Sequence, residues 1–195
     1  MARILFFIVL ALASLGAGAQ SPLKIKALGE KKVVQLPPDP LFWRIENFPN
    51  LEAAKAAGGD YSLAVESGGQ TWLFTLGARG TQTAGGTKVS EVGPIPRVSA
   101  PQYLLRINEA SGPSGAITSI HSHPGSEAFY VLAGEQTIRS PHGVMKVHPG
   151  QSAAGQGADV PMQVSSTGES DLRALVMFVV DATRPFSSPA TLARE

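Results

Sequence analysis

The chain has 195 residues, and its 16 lysines and arginines against 15 aspartates and glutamates leave a formal charge of +1. This length predicts one domain, and the balanced charge argues against a general nucleic-acid binder, which needs an excess of basic side chains. The 21 glycines and 15 prolines favour short strands joined by turns over a helical bundle. Cysteine is absent, which excludes disulfides and thiolate metal sites and leaves His, Asp and Glu as protein ligands for a metal ion.

Residues 1–19 have the three parts of a secretory signal peptide. A basic start at Arg3 precedes an apolar run from Ile4 to Ala13, and a small-x-small cleavage site ends at Ala19. The apolar run is about ten residues long, shorter than the roughly 20 that span a membrane. The pattern predicts an exported protein, periplasmic or extracellular, with no stable membrane anchor after cleavage.

Residues 20–49 are predicted to form an extended N-terminal arm. Three prolines between residues 37 and 40 exclude a helix there and favour extended backbone. An arm of this kind is costly to leave loose beside a sheet edge. We expect its apolar stretch Val33–Leu36 to pair with an edge strand of its own barrel or a neighbouring one, and we predict a homodimer.

One short helix is predicted at Leu51–Ala57. Asn50 is suited to cap its N-terminus, and Gly58 and Gly59 stand where a helix stops. The helix is too short to be stable alone, so it must be held by tertiary packing.

From the helix onward, short apolar segments alternate with turn residues, the pattern of a sandwich or barrel. No connection is long enough for a crossover helix, so the sheets should be antiparallel. The barrel domain is predicted over residues 50–182, with a C-terminal tail at residues 183–195. The predicted strands are Tyr61–Glu66, Thr71–Leu76, Tyr103–Asn108, Ala116–Ser122, Glu127–Leu132, Glu135–Arg139, Val144–Val147, Val160–Val164 and Leu172–Val180.

A spaced set of glycine, histidine and glutamate residues carries the candidate chemistry. Gly115 is followed after five residues by His121-Ser122-His123, after three more by Glu127, and after six more by Gly134. Residues two apart on a strand face the same way, so the two imidazoles can meet one ion. The turn after them can bring the Glu127 carboxylate in as a third ligand. The spacing therefore predicts a metal site.

This segment resembles the first sequence motif of the cupin superfamily, and the following GVMKVHPGQ resembles the start of its second motif. The resemblance covers roughly Tyr103–Val180. It implies an antiparallel jelly-roll barrel that holds a divalent ion, Fe, Mn, Zn or Ni, with His121, His123 and Glu127 at three of the usual ligand positions.

The second motif departs from the family pattern. Met162 stands where the resemblance places a fourth ligand, a histidine, and a thioether is a weak donor for hard divalent ions. Two functions therefore stay open. One is a metal-dependent oxidoreductase of the dioxygenase type, with coordination positions left free for oxygen or substrate. The other is a non-catalytic barrel with a degenerate metal site that binds a small ligand or a partner.

Strand parity predicts which side chains surround the site. Ser119 points the same way as His121, while Phe129 and Val131 share a face with Glu127 and would make the deeper cavity apolar. Arg106 shares a strand face with Asn108. If that face is the inner one, its guanidinium can bind a substrate carboxylate, and the expected ligand is a small organic molecule.

Overall fold

The computed structural model describes residues 21–38, 40–80 and 82–193. The predicted signal peptide, residues 1–19, lies outside these ranges. Within the described ranges no helix has the length and apolar character needed to cross a membrane.

The fold is all-β and antiparallel, as predicted, with one short helix. The helix is α1 (Leu51–Ala57). The strands are β1 (Lys24–Val33), β2 (Phe42–Phe48), β3 (Ser62–Ser67), β4 (Gln70–Gly77), β5 (Thr87–Val92), β6 (Tyr103–Gly112), β7 (His121–Ser122), β8 (Gly125–Ala133), β9 (Gln136–Ser140), β10 (Gly143–Val147), β11 (Ser152–Ala154), β12 (Gln163–Ser166), β13 (Leu172–Asp181) and β14 (Ser188–Pro189).

A five-stranded sheet in the order β1-β6-β13-β8-β11 runs through the middle of the molecule. A four-stranded sheet, β3-β4-β2-β5, packs on one of its faces. The three-stranded sheet β10-β9-β12 and the pair β14-β7 enclose the other face. The jelly-roll barrel is thus extended by a further sheet on its outer side.

Strand β13 shows how one sheet serves two cores. Its sequence LRALVMFVVD is apolar on both faces, the pattern of a strand buried on both sides. Leu175, Met177 and Val179 pack toward the four-stranded sheet, whereas Val176 and Phe178 pack toward the barrel interior. We call the first region the closed core and the second the hollow core.

The closed core contains both tryptophans of the chain and is built by these residues: Leu36, Leu41, Trp43, Ile45, Leu63, Val65, Trp72, Phe74, Leu76, Val92, Ile95, Tyr103, Leu105, Ile107, Ala128, Tyr130, Leu175, Met177 and Val179. The hollow core is built by Leu23, Ala110, Ala116, Phe129, Val131, Ile138, Val147, Met162, Val164, Leu172, Ala174, Val176, Phe178 and Val180.

The predicted helix is confirmed at its expected bounds. The Oδ1 atom of Asn50 accepts a hydrogen bond from the Ala53 N–H at 2.8 Å, and Gly58 ends the helix with its N–H bonded to the Ala54 carbonyl oxygen. The buried Ala54 packs with Phe48 and Leu73, which supplies the tertiary packing that so short a helix needs.

The N-terminal segment differs from the predicted arm in two respects. The pairing strand is Lys24–Val33 rather than Val33–Leu36, and it pairs antiparallel with β6 of its own sheet. Residues Phe42–Phe48 form β2, a central strand of the four-stranded sheet. The prolines that exclude a helix therefore mark only the link between two strands.

Two predicted strands are also corrected. Ala116–Ser122 is regular only at His121–Ser122, and its earlier part makes isolated bridges from Ile117 to Pro22 and Ser165. The predicted Val160–Val164 begins later, at Gln163. In both places successive residues form backbone hydrogen bonds with different segments of the chain. No single partner strand extends along the whole segment, so the regular strand is short.

Candidate functional site

A cavity of about 460 Å³ occupies the hollow core. Its walls are mostly apolar by area and come from β1, β6, β7, β8, β9, β12 and β13, from residues 22–23, 117–119 and 123, and from the segment before β14. The residues that line it are Pro22, Leu23, Ile25, Arg106, Asn108, Ala110, Ile117, Thr118, Ser119, His121, His123, Glu127, Phe129, Gln136, Val164, Val176, Phe178, Phe186 and Ser187.

The two predicted histidines face this cavity side by side. Their ring centroids lie 5.0 Å apart at an interplanar angle of 81°. The Nδ1 atom of His121 is 2.8 Å from the Ser119 carbonyl oxygen, and that of His123 is 2.7 Å from the Phe186 carbonyl oxygen. A carbonyl only accepts, so each Nδ1 carries a proton, and a ring with this tautomer in its neutral form has its lone pair on Nε2.

His123 is the more deeply held of the pair. It is 5% exposed and packs edge-on against the ring of Phe178 and at a tilt against the ring of Phe186. Burial among these rings lowers the pKa of His123 to about 4, and the nearby His121 and Arg106 act in the same direction. The imidazole of His123 is therefore neutral at physiological pH.

Glu127 stands on β8, and its side chain is 2% exposed. Its Oε1 atom has no hydrogen-bond partner in the protein. Burial raises the pKa of Glu127 to about 8, against the opposing effect of a hydrogen bond from the Gln156 backbone. A side chain at Gly155 would meet the Cγ atom of Glu127 at 2.5 Å, so glycine is needed where this loop covers the carboxyl.

The predicted three-ligand metal site is not assembled in this arrangement. Two features of the donors suit a divalent ion: the Nε2 lone pairs of His121 and His123, each supported by a carbonyl on Nδ1, and the unpaired Oε1 of Glu127. Among the described residues, however, no three His, Cys, Asp or Glu side chains are placed to hold an ion together. As arranged here, the three residues do not fit a metal ion.

Met162 lies where the resemblance places the fourth ligand. Its backbone exchanges hydrogen bonds of 2.8 and 3.0 Å with His121, which puts the two residues directly opposite each other. The side chain is 1% exposed and packs in the hollow core beside the cavity, outside its lining. Met162 therefore acts as an apolar core residue here.

The predicted cavity residues divide into those that reach the cavity and one that does not. Ser119 and Phe129 line it, while Val131 is buried deeper in the hollow core. Arg106 faces inward, and its guanidinium lies 4.4 Å from the centre of the Phe186 ring. Its Nε donates a 2.8 Å hydrogen bond to Asn108, and a 3.5 Å ion pair links it to the exposed Glu30.

Sequence reasoning did not find several residues that line the cavity. Leu23 directly precedes β1, Ile25 lies in β1, and Phe186 comes from the segment after β13. No local pattern marks them, because they reach the cavity through pairing with distant parts of the chain. Sequence reasoning also missed Gln136. It stands two residues before Ile138 on β9, and residues two apart on a strand share a face, so the apolar Ile138 is a signal that Gln136 points inward.

Comparison with known proteins identifies this part of the chain. Residues 110–178 match the family model described as Cupin domain, which confirms the resemblance to the cupin superfamily over that segment. A search of curated protein sequences gave no match.

Several solved structures match part of this chain. One is the DMSP lyase DddQ from Ruegeria pomeroyi DSS-3, at 23% identity and a TM-score of 0.38 over 44% of this chain and 42% of that one. A cupin-like protein from Thermotoga maritima matches at 15% identity and 0.39, over 44% and 64%. The polyketide cyclase RemF from Streptomyces resistomycificus matches at 23% and 0.37, over 46% and 62%. This chain thus spans less than two thirds of the length of each.

Proposed function

We propose that this chain binds a small organic molecule in the hollow core, beside His121, His123 and Glu127. The cavity carries the proposal. Its volume of about 460 Å³ falls within the range of about 300–1,000 Å³ typical of ligand sites. Apolar walls with a few inward polar groups are likewise the usual composition of such sites.

The polar groups of the cavity suit acid–base chemistry on a bound ligand. The carboxyl of Glu127, with a pKa of about 8, keeps its proton at neutral pH and is a donor. The imidazole of His123, with a pKa of about 4, is an acceptor at Nε2. Titratable groups whose environments push their pKa values apart provide an acid and a base in one site.

The second candidate function is a metal-dependent oxidoreductase of the dioxygenase type. The observation that favours it is the unpaired Oε1 of Glu127 in the same cavity as two Nε2 lone pairs. It requires the Glu127 side chain to move from its present position, and the ion would be Fe, Mn, Zn or Ni. Such a centre supplies oxygen activation or Lewis-acid chemistry when bound.

Ligand binding is tested by closing the cavity. The half-buried Ile117 lines it, so Ile117→Trp should fill part of the space and abolish binding of small aromatic acids in ligand-observed NMR. Val144→Trp is the matched control, because Val144 is 62% exposed on β10 and away from the cavity. Equal binding by both variants would contradict the proposal.

Elemental analysis of protein purified without chelator or affinity metal separates the two candidates. The oxidoreductase requires about one bound ion per chain, lost in both His121→Ala and His123→Ala while the circular dichroism spectrum stays unchanged. It also requires oxygen uptake that depends on the added metal. Ligand binding by the chelated protein, with no oxygen uptake in the presence of any of the four metals, supports the binding module.

A further inference from the structure

The hollow core contains a fully buried amide whose polar atoms have no partners. Gln136 is 0% exposed and lines the cavity, and neither its Oε1 nor its Nε2 makes a hydrogen bond within the protein. Buried side-chain polar atoms are almost always paired, and leaving them unpaired costs stability. An amide in this state points to a group that the protein alone does not supply.

Gln136 lies beside a second buried and unpaired polar side chain on the same sheet. It is the first residue of β9, and its backbone is paired with Val147 on one side and Ser166 on the other. The hydroxyl of Ser166, its cross-strand neighbour, is also buried and unpaired. Two adjacent polar side chains on one sheet face thus lack partners within an otherwise apolar cluster.

We propose that Gln136 is a ligand-recognition residue, whose amide binds an uncharged group that both donates and accepts hydrogen bonds, a hydroxyl or a carboxamide. The inference rests on the proposed ligand-binding function and specifies which ligands the cavity takes. A ligand carboxylate only accepts hydrogen bonds, so it would leave the Oε1 acceptor of Gln136 unpaired. A ligand ammonium only donates hydrogen bonds, so it would leave the Nε2 donor unpaired. Burying either charge away from water is also strongly unfavourable.

Arg106 adds a charged and more exposed group to the cavity lining than Gln136. Its side chain is 23% exposed, lies over the Phe186 ring, and makes a 3.5 Å ion pair with Glu30, whose own side chain is 57% exposed. A carboxylate suits this more exposed position. The favoured ligand is therefore a small organic acid with its carboxylate toward Arg106 and a neutral hydroxyl or carboxamide toward Gln136.

Four benzoates that differ only at the para position test this assignment. 4-Hydroxybenzoate and 4-carbamoylbenzoate present the predicted groups, 4-methylbenzoate presents an apolar group, and terephthalate presents a second carboxylate. Titration calorimetry on the full chain should show the first two binding about tenfold or more tightly than the last two.

The variant Gln136→Leu keeps the size of the side chain and removes both polar atoms. It should reverse the order, so that 4-methylbenzoate binds more tightly than 4-hydroxybenzoate. Its melting temperature without ligand should equal or exceed that of the wild type, because an apolar residue replaces an unpaired amide. Gln70→Leu, at an exposed position of β4 outside the cavity, is the control and should change neither order nor affinity.

The outcomes separate this inference from the proposed function. If no benzoate binds to the wild type, the ligand-binding function fails and the inference fails with it. If the benzoates bind without the predicted order, or Gln136→Leu leaves the order unchanged, only the inference is overturned. A lower melting temperature of Gln136→Leu together with an unchanged order would assign Gln136 to an internal water site instead.

Discussion

The closed core and the hollow core share the strands of one sheet but differ in whether they enclose a ligand-sized cavity. On the closed side, Trp72 stacks near Phe74 with ring centroids 6.4 Å apart and meets Tyr130 at 5.7 Å. On the hollow side, Glu127 and Gln136 keep buried polar atoms without partners around a cavity of about 460 Å³. Nε1 of Trp43 in the closed core also lacks a partner, so the cavity, and not the unpaired atoms alone, distinguishes the hollow face.

The alternation of side chains along a strand makes this division possible. Phe129 points into the cavity while its neighbours Ala128 and Tyr130 pack in the closed core. A substitution on one face therefore leaves the other face almost unchanged. Residues that stabilise the closed core and residues that line the cavity therefore alternate along the strand. Each set can be tested by its own substitutions.

The largest expected effect comes from truncating one phenylalanine in each core. Phe74 is 0% exposed and Phe129 is 1% exposed, so the two lose similar contact with water on folding. Phe74→Ala should lower the free energy of unfolding by about 3–5 kcal/mol, because it opens a void in a filled core. Phe129→Ala should cost about 1–2 kcal/mol less, because its side chain already borders a cavity.

Urea unfolding of both variants, followed by fluorescence and circular dichroism, measures this difference. The m-values should match that of the wild type, so that the midpoints report stability alone. Equal losses in the two variants would mean that the hollow core is packed as tightly as the closed core, and the contrast between the two faces would be wrong.

The next largest effect is a pH dependence of the free energy of unfolding that arises from Glu127. The pKa of this carboxyl is about 8 in the folded chain, above its ordinary value of 4.5. Between these two values the unfolded chain releases the proton and the folded chain keeps it. The free energy of unfolding therefore falls as pH rises from about 4.5 to 8 and levels off above that range. Glu127→Gln removes the titration and should be more stable than the wild type at pH 8, on the order of a few kcal/mol.

The comparison is made with chelator present at pH 5 and at pH 8, and the advantage of Glu127→Gln should be near zero at the lower pH. His123 adds a slope of opposite sign in both proteins. Its folded pKa of about 4 is below its ordinary 6.5, so stability falls as pH drops through that interval. Glu66→Gln, at an exposed position on β3, is the control. A pH-independent difference would contradict burial of an uncharged carboxyl.

The sequence predicts the hollow core better than the closed core. The spacing from Gly115 to Gly134 places both histidines and Glu127 on the cavity, and both glycines have the positive φ that such turns require, 84° and 71°. Strand β2, by contrast, lies within the segment that the sequence predicts as an extended N-terminal arm, so this part of the prediction is wrong. Its stretch FWRIENF is buried on both faces, which hides the alternation that identifies a strand.

Other features depend on contacts that no local pattern records. Strand β5 has the polar sequence TKVSEV and is a strand because it pairs with β2, distant in the chain. Phe186 reaches the cavity through the pairing of β14 with β7. Gly155 approaches Glu127 so closely that an added Cβ would lie 2.5 Å from the Glu127 Cγ, and no local sequence pattern predicts this contact.

The smallest effect is expected at α1, which packs against the four-stranded sheet on the side away from the cavity. The Oδ1 atom of Asn50 satisfies the Ala53 N–H, so Asn50→Ala should cost about 1 kcal/mol. Asn50→Asp keeps an acceptor at the same position and should retain wild-type stability. Because the closed core separates this helix from the hollow core, Asn50→Ala should leave the affinity for 4-hydroxybenzoate unchanged. A loss of affinity that accompanies the loss of stability would show that the two faces of the central sheet are coupled. It would contradict the inference that the closed core provides stability and the hollow core binds the ligand.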